Sequence, residues 1–334
     1  MSGTTSLRAW WAQRPPAAGS AVMATGIVST GLNLAGYAVL SGILLVVAAI
    51  TWLALAADFT SRLLGDRGRW LEEAGTPTAL TAVAATTVLG TRLSAQDWQL
   101  PAEVLLALAA LVWPVLLVLV VTHWHERMPG AVFLGCVATQ GLAVLGGTLA
   151  KAEGVAWLGH AAMVLFWLGL VLYAVALTRF DFRQLWEGAG DHWVAAGALA
   201  ISALAGSKLI AADSPALYLW NSDDRGVLRT VTSALLALDL ALYAVLLVAE
   251  VVRPRPHYDV RRWATVFPMG MTATAMLSVG TAMDVSWLRT PAEVLLWLAV
   301  AAWLVVAAGA IESAWRAIHV PAPDSPGEDT GRTP

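Results

Sequence analysis

Two consecutive stretches of the chain are apolar but are built from different residues. Residues 76–91 read TPTALTAVAATTVLGT, and residues 101–121 read PAEVLLALAALVWPVLLVLVV. Both belong to apolar runs of the length that a helix needs to cross a bilayer, about 17 to 25 residues. The first is rich in threonine, whereas the second holds no glycine, serine or threonine. This alternation of a small-residue helix with an aliphatic helix recurs along the chain and decides the fold class.

Composition identifies lipid as the solvent of much of the protein. Of its 334 residues, 58% are hydrophobic and 13% are charged, whereas soluble domains carry about 25% charged residues. The net charge of −3 comes without any run of basic residues, which argues against nucleic acid as a partner. Cys136 is the only cysteine, so an intrachain disulfide is excluded.

The apolar runs predict an all-α integral membrane protein with ten transmembrane helices. Their approximate ranges are 17–36, 38–60, 76–92, 100–124, 129–149, 155–179, 192–212, 226–252, 262–283 and 288–318. We expect residues 1–16 to form a cytoplasmic N-terminal segment and residues 17–318 the transmembrane channel or transporter domain. Residues 319–334, rich in proline, aspartate and glycine, are expected to be a disordered cytoplasmic tail.

Arginine and lysine predict the orientation, because they concentrate in cytoplasmic loops. If ten segments span the membrane, both termini lie on one side, and fourteen of the twenty Arg and Lys residues fall on that side. The sequence therefore predicts a multi-pass protein of the cell membrane with both termini in the cytoplasm.

Glycine, serine and threonine are concentrated in the odd-numbered segments. They make up 32 of 89 core residues in the odd segments and 6 of 101 in the even ones. Small residues let helix backbones approach closely, so we expect the odd helices inside and the even helices facing lipid. The hexapeptide Pro-Ala-Glu-Val-Leu-Leu opens both the fourth segment (101–106) and the tenth (291–296), as a repeated hairpin would. The pattern predicts five hairpins around a common axis; a dense bundle without a pore fits the composition equally well.

Two charged residues inside apolar segments each have two interpretations. Lys208 is the only charge that we assign to the core of an odd segment, with Arg92 assigned to an outer loop. Lys208 either attracts anions into an electropositive vestibule or extends its ammonium group to the membrane interface. Asp239 lies midway along the eighth segment, where a charge is costly. It is either a proton-coupling carboxylate or a protonated or hydrogen-bonded residue at a subunit contact, and we favour the second.

The sequence carries no recognisable motif for catalysis, metal binding or a cofactor. His123 and His125 are two residues apart on a helix, which separates their side chains by about 200° and prevents them from meeting at one metal. His160 has no second histidine at matching depth to hold a haem. Phosphate-binding loops, dinucleotide-binding glycine motifs and nucleophile triads are absent. We therefore expect no enzyme, no metal and no cofactor, and an intramembrane enzyme or haem protein is a remote third alternative.

Two short segments carry a resemblance to a known family. Residues 23–29 read MATGIVS and residues 262–269 read RWATVFPM. They resemble the Met-Gly-Thr-Gly-Ile and Trp-Trp-x-x-Thr-Phe-Pro-Met patterns of the tellurite-resistance/dicarboxylate transporter family, which includes plant slow-type anion channels and bacterial TehA-type channels. Ala24, Arg262 and Val266 depart from these patterns. Ten helices of alternating character extend the resemblance over nearly the whole chain.

The resemblance implies a quasi-fivefold ring of five hairpins, usually assembled as a homotrimer with one pore per subunit. It also implies that a phenylalanine of helix 9, here Phe267, plugs the pore as a gate. Phe267 shares a helix face with Met271, and an apolar constriction gates by excluding water. Pro268 allows the helix to bend beside the plug. A packing phenylalanine next to a routine proline kink is the structural alternative.

We predict a channel-like uniporter that passes small anions, such as chloride or nitrate, through a pore gated by Phe267. The residues expected to line the pore are Thr25, Gly26, Thr86, Thr139, Ser202, Met271, Thr274 and Ser278, with Lys208 in an electropositive vestibule. The phases of helices 1, 3, 5 and 7 are open. The alternative is a proton-coupled carrier of the same family for a C4-dicarboxylate such as malate, or for sulphite.

Overall fold

Helices make up the regular secondary structure in the computed structural model, which describes residues 16–214, 222–253 and 258–319. Within these residues no β-strand is present. We label the longer helices α1 to α10 in chain order. They are α1 Gly19–Ala35, α2 Ala38–Gly65, α3 Thr81–Ser94, α4 Gln99–Thr122, α5 Leu134–Glu153, α6 Ala156–Arg179, α7 Val194–Ala212, α8 Ser222–Val252, α9 Trp263–Met283 and α10 Arg289–His319.

Eight helices in the described part of the chain are long and apolar enough to cross a membrane. They are α2, α4, α5, α6, α7, α8, α9 and α10, some with a preceding turn. Helices α1 and α3 are outside this set and measure 17 and 14 residues. The protein is therefore an all-helical, multi-pass membrane protein.

Burial follows the composition of the helices. In the most apolar window of α5, α7 and α9, 94%, 83% and 83% of the residues are buried, whereas the corresponding share is 17% to 33% in α2, α4, α6, α8 and α10. Helices α1 and α3 are also buried along most of their length. The predicted division into small-residue inner helices and aliphatic outer helices is thus confirmed as a division in burial. The aliphatic side chains of the outer helices remain uncovered, as lipid-facing helices require.

The inner helices contact one another in cyclic order. Helix α1 packs on α3, α3 on α5, α5 on α7, α7 on α9, and α9 on α1. Residues in contact lie at equivalent positions along their helices. Gly19 contacts Thr81 where α1 and α3 begin, and Ser207 contacts Ser278 near the ends of α7 and α9. The five inner helices therefore run parallel, with their C-terminal ends together.

Each inner helix follows a short 3₁₀ turn, a second feature that repeats around the molecule. The turns are Pro16–Ala18, Pro77–Leu80, Gly130–Phe133, Asp191–Trp193 and Val260–Arg262. Each outer helix packs against the inner helix before it and also against the next inner helix in the cycle. An outer helix therefore covers the seam between two inner ones.

The largest departure from the predicted helix bounds follows residue 60, and a short helix, Gln184–Glu187, also lies in a predicted break. Helix α2 continues to Gly65, and the short helix Arg67–Ala74 occupies a region predicted as a break. The charge of Arg62 is expected to end the helix. Its guanidinium nitrogens instead lie 2.8 Å from carboxylate oxygens of Asp58 and Glu73, which neutralise it, and the helix continues. The predicted terminal segments 1–16 and 319–334 lie, apart from their innermost residues, outside the described part of the chain.

Candidate functional site

A small cavity on the axis of the inner helices is lined by residues from all five of them. Its volume is about 10 Å³, close to the 10 to 15 Å³ that one water molecule requires. Its lining residues are Ile27, Thr30, Thr87, Val88, Thr91, Gly141, Val144, Ile201, Leu204, Lys208 and Met271. The lining combines aliphatic side chains, three hydroxyls and one ammonium group, and it includes no carboxylate.

The three threonine hydroxyls of this lining are tied to the backbone. Thr30 donates to the carbonyl of Gly26 at 2.9 Å, and Thr91 donates to that of Thr87 at 2.8 Å. Thr87 donates to the carbonyl of Ala84 at 3.0 Å. A passing anion would have to compete with these bonds for the hydroxyl protons, and each contributes only about 0.5 to 1.5 kcal/mol net. The lining can therefore hold an anion weakly but not trap it.

Phe267 lies one helical turn before Met271 on α9, toward the beginning of that helix. Its side chain is 1% exposed. A Cβ atom added to Gly197 of α7 would lie 3.2 Å from its Cε1 atom and 2.9 Å from Cγ of Pro268. The absence of a side chain at Gly197 therefore makes room for the ring. Because residues four apart share a helix face, Phe267 and the cavity-lining Met271 face the same way.

Lys208 lines the same cavity from α7, close to the C-terminal end of that helix. Its Cβ atom lies 3.5 Å from the position of a Cβ on Gly147 of α5, so Lys208 packs against that helix. Of the residues predicted for the site, Lys208 and Met271 are the two that the cavity lining includes.

Three of the predicted lining threonines direct their hydroxyls to outer helices. In each case an indole Nε1 donates to the threonine Oγ1 at 2.9 Å. The pairs are Trp303 with Thr25, Trp52 with Thr86, and Trp113 with Thr139. Each bond joins an outer helix to the next inner helix: α10 to α1, α2 to α3, and α4 to α5. These hydroxyls link the outer helices to the inner helices. The pore-lining role predicted for them stays a prediction.

The remaining predicted lining residues lie at contacts between inner helices. A Cβ on Gly26 would lie 2.8 Å from Val88 Cγ1. Ser202 Oγ lies 3.8 Å from Cys136 Sγ of α5, and a Cβ on Gly31 of α1 would lie 2.9 Å from Thr274 Oγ1. Ser278 accepts a hydrogen bond of 2.8 Å from Ser207. Small and hydroxylated residues at these positions allow the inner helices to approach closely.

The prediction missed Thr30, Thr87 and Thr91, which line the axial cavity. Thr87 directly follows the predicted Thr86, and one residue turns a helical side chain by 100°. Since Thr86 and Thr87 are both buried threonines, their chemistry alone cannot tell which one faces the axis.

Arg92 is placed differently from its predicted position in an outer loop. It lies inside α3 and is 1% exposed. Its Nε atom donates to Ser29 Oγ at 3.2 Å, and its Nη2 donates to Ser41 Oγ at 2.8 Å. The prediction that Lys208 is the only charge within an inner helix is therefore wrong. The oxygens that accept from Arg92 belong to α1 and α2, far away in sequence.

Asp239 also lies elsewhere than at the predicted subunit contact. It is 0% exposed within the single chain, and its Oδ1 accepts from Thr272 Oγ1 of α9 at 3.2 Å. A residue at a subunit contact would be exposed in one chain alone, so the predicted subunit contact is wrong, whereas the predicted hydrogen-bonded carboxyl is confirmed. Asp239 Oδ2 and the hydroxyl of Tyr243, one turn further on α8, have no hydrogen-bond partner among the described residues.

The histidines show local backbone contacts. His123 Nδ1 lies 2.6 Å from the carbonyl oxygen of Leu119, and His160 Nδ1 lies 2.9 Å from that of Ala156. Within residues 16–214, 222–253 and 258–319, no three His, Cys, Asp or Glu side chains come together in a way that could hold a metal ion.

A second, larger cavity lies away from the axis. A groove of about 310 Å³ is lined by α1, α2, α3, α4 and the short helix Arg67–Ala74. Its walls are mostly apolar, with Trp52 and Phe59 among them, and the ion pair between Arg62 and Glu73 stands in its lining. Because α5, α7 and α9 contribute nothing to this groove, it is not a continuation of the axial cavity.

The comparisons with known proteins agree with this architecture. The family model of the voltage-dependent anion channels (SLAC1) matches residues 13–311, a range that includes both resembling segments and extends from α1 into α10. No curated protein matches the sequence. Since one family model covers far more than half of the chain, the chain belongs to the voltage-dependent anion channel family, the family that the two segments indicated.

Proposed function

We propose that the chain is a membrane anion channel or uniporter that passes small anions, such as chloride or nitrate, along the axis of its inner helices. Membership of the voltage-dependent anion channel family implies transport of anions across a membrane. The observation that carries the proposal is the axial cavity, which residues from all five inner helices line. The lining contains three hydroxyls, aliphatic side chains and Lys208, and it contains no carboxylate.

In this proposal ten helices span the membrane as five hairpins in a quasi-fivefold ring. The cyclic contacts of the inner helices support the ring, as do the five repeated turns before them. Helices α1 and α3 become long enough to cross when the turns before them are added, since both begin after a 3₁₀ turn. The surplus of basic residues on the side of the termini supports a cytoplasmic location of both ends.

The lining favours weak binding and fast passage. A fixed charge pairs strongly with an ion at close range, whereas hydroxyls and backbone dipoles do so weakly. Lys208 supplies a positive charge near one end of the path, where it raises the local concentration of anions. An anion therefore meets attraction at the entrance and shallow binding further on.

Phe267 is proposed as the gate of this path. Support comes from its burial, from its shared face with Met271, and from the seat that Gly197 leaves for its ring. The axial cavity that Met271 lines has room for about one water, and an apolar ring one turn away would close the path to a hydrated anion.

The experiment that tests the function is a flux panel in proteoliposomes. Purified wild-type protein is reconstituted, and the fluxes of chloride, nitrate, malate and sulphite are measured in parallel against protein-free vesicles. We expect saturation-free flux of chloride and nitrate that follows the membrane potential. No flux of any of these anions above the protein-free vesicles would contradict the proposal. The proposed homotrimer is tested separately by the mass of the detergent-solubilised protein.

A proton-coupled carrier for malate or sulphite is the second candidate, and Asp239 is the observation that favours it. The carboxyl is fully buried in α8 with one oxygen unpartnered among the described residues, and a buried ionisable group inside a membrane often relays protons. Asp239→Asn should abolish accumulation driven by a proton gradient. The matched control is Thr272→Val, which removes the hydrogen bond and keeps the carboxyl. Accumulation that survives in Asp239→Asn would remove Asp239 from the coupling.

A further inference from the structure

Arg92 is a buried positive charge whose hydrogen-bond partners are all neutral. Its side chain lies between α1, α2 and α3, where Ser29 and Ser41 accept from Nε and Nη2. When the amide of Gln96 is oriented with its oxygen toward the guanidinium, that oxygen accepts from Nη1 at 2.8 Å. No ion pair involves Arg92 in the described part of the chain. Burial without a counter-charge is costly, which points to a use for the charge itself.

The guanidinium lies one helix away from the axial cavity. Thr91, the residue before Arg92, lines that cavity, and so does Thr30, the residue after Ser29. Arg92 is outside this lining although it follows Thr91 and lies four residues after the lining Val88. The reason is that its guanidinium extends sideways to Ser29 of α1 and Ser41 of α2. A helix with its side chains is about 10 to 12 Å across, so the charge stands roughly 10 Å from an ion on the axis.

The electrostatics of the inner helices give this charge a role. All five run parallel, and each C-terminal end carries a partial charge of about −0.5. Together these ends place roughly −2.5 elementary charges around one mouth of the path, which would repel anions and attract cations. Arg92 is two residues from the end of α3, and Lys208 is four residues from the end of α7. Two positive charges thus stand where the helix dipoles are unfavourable for anions.

We infer that Arg92 is a residue that determines specificity: a fixed off-axis charge that makes this mouth of the path permeable to anions rather than cations, without contacting the ion. The hydroxyls of Ser29 and Ser41 and the amide of Gln96 hold the guanidinium and leave its charge uncancelled. Lys208 supplements it from within the lining. This inference rests on the proposed function, because it requires an anion path along the axis.

The test compares charge removal with charge retention. Wild type, Arg92→Gln and Arg92→Lys are reconstituted, and the chloride-to-sodium permeability ratio is measured from reversal potentials in a salt gradient. At about 10 Å and an effective dielectric constant of about 20, one charge changes the local ion concentration by about tenfold. Because the charge attracts chloride and repels sodium by the same factor, we expect the ratio to fall by up to about a hundredfold in Arg92→Gln and to stay within about twofold of wild type in Arg92→Lys.

Arg62→Gln is the matched control, since Arg62 is neutralised by Asp58 and Glu73. It should leave the permeability ratio unchanged. A wild-type ratio in Arg92→Gln would overturn the inference, and so would an equal loss in Arg92→Lys, which would indicate a purely structural role. Absence of anion flux in the wild type would instead remove the proposed function together with this inference.

Arg92→His provides a second measurement if Arg92→Gln is not recovered as folded protein. Its permeability ratio should increase relative to wild type as the pH is lowered from about 8 to about 5.5, because the imidazole gains its charge in that interval. A ratio that follows wild type at every pH would overturn the inference.

Discussion

Replacement of Phe267 by alanine tests the gate most directly. The ring is 1% exposed and seated against Gly197, one helical turn before Met271, which lines the axial cavity of about 10 Å³. A water molecule needs about 10 to 15 Å³. If the ring stands in the path as proposed, it interrupts the column of water there, and an anion that passes the ring loses part of its hydration.

The size of the effect follows from the hydration that the anion regains. A hydrogen bond to a charged group contributes about 1.5 to 3 kcal/mol, and each 1.36 kcal/mol of barrier changes a rate about tenfold. If Phe267→Ala admits one further water to the constriction, chloride flux should rise by about ten- to a hundredfold. The same substitution destabilises the fold by up to about 3 to 5 kcal/mol, the usual cost of truncating a buried phenylalanine.

The control has to separate gating from loss of stability. Phe166 of α6 is 0% exposed and packs edge-on against Trp167, away from the axial cavity. Phe166→Ala therefore removes the same ring at a similar cost in stability without widening the path. Chloride flux is measured in proteoliposomes at equal protein density. A flux in Phe267→Ala within twofold of wild type would refute the gate, as would an equal rise in Phe166→Ala.

Three further predictions concern single side chains. Lys208→Gln should lower chloride flux several-fold at about 0.01 M salt and much less at about 1 M, because salt screens the attraction; an equal loss at both concentrations would contradict a steering role. Trp303→Phe removes the donor to Thr25 and should lower the free energy of unfolding in detergent by about 1 kcal/mol, measured as the shift of the thermal midpoint. Asp259 accepts hydrogen bonds from Arg261, which lower the pKa of its carboxyl. The stabilisation is therefore present above the ordinary carboxyl pKa of about 3.9 and is lost as the pH falls through the lowered value, so Asp259→Asn should be the less stable protein at pH 7 but equal to wild type near pH 2.

The broad architecture could be predicted because lipid imposes simple rules on composition. A helix surrounded by lipid can be wholly aliphatic, as residues 101–121 are, while a helix between other helices needs small residues. Counting glycine, serine and threonine therefore separates α3 from α4, and the burial of the two helices agrees. The count needs no knowledge of the angle at which a helix is rotated.

The rotation of the inner helices could not be predicted for the same reason. Small and hydroxylated residues lie on every side of the inner helices, as the adjacent Thr86 and Thr87 show. Composition therefore cannot tell which side of the helix faces the axis. Thr86 accepts from Trp52 and Thr87 lines the axial cavity. What separates them is a donor on another helix, 34 residues away in sequence from Thr86. Arg92 was misplaced in the same way, because its burial depends on Ser29 and Ser41, 63 and 51 residues away.

The placement of charge along the inner helices follows from their parallel arrangement. At the end where the five helices begin, the N-terminal dipoles are positive and favour anions without any basic side chain. At the end where they finish, the same dipoles oppose anions, and Arg92 of α3 and Lys208 of α7 stand near that end. If anions pass along this axis, basic side chains are needed at one mouth only. A charge placed midway would deepen a binding site and slow release, whereas charges near the mouth offset the repulsion and leave the path shallow.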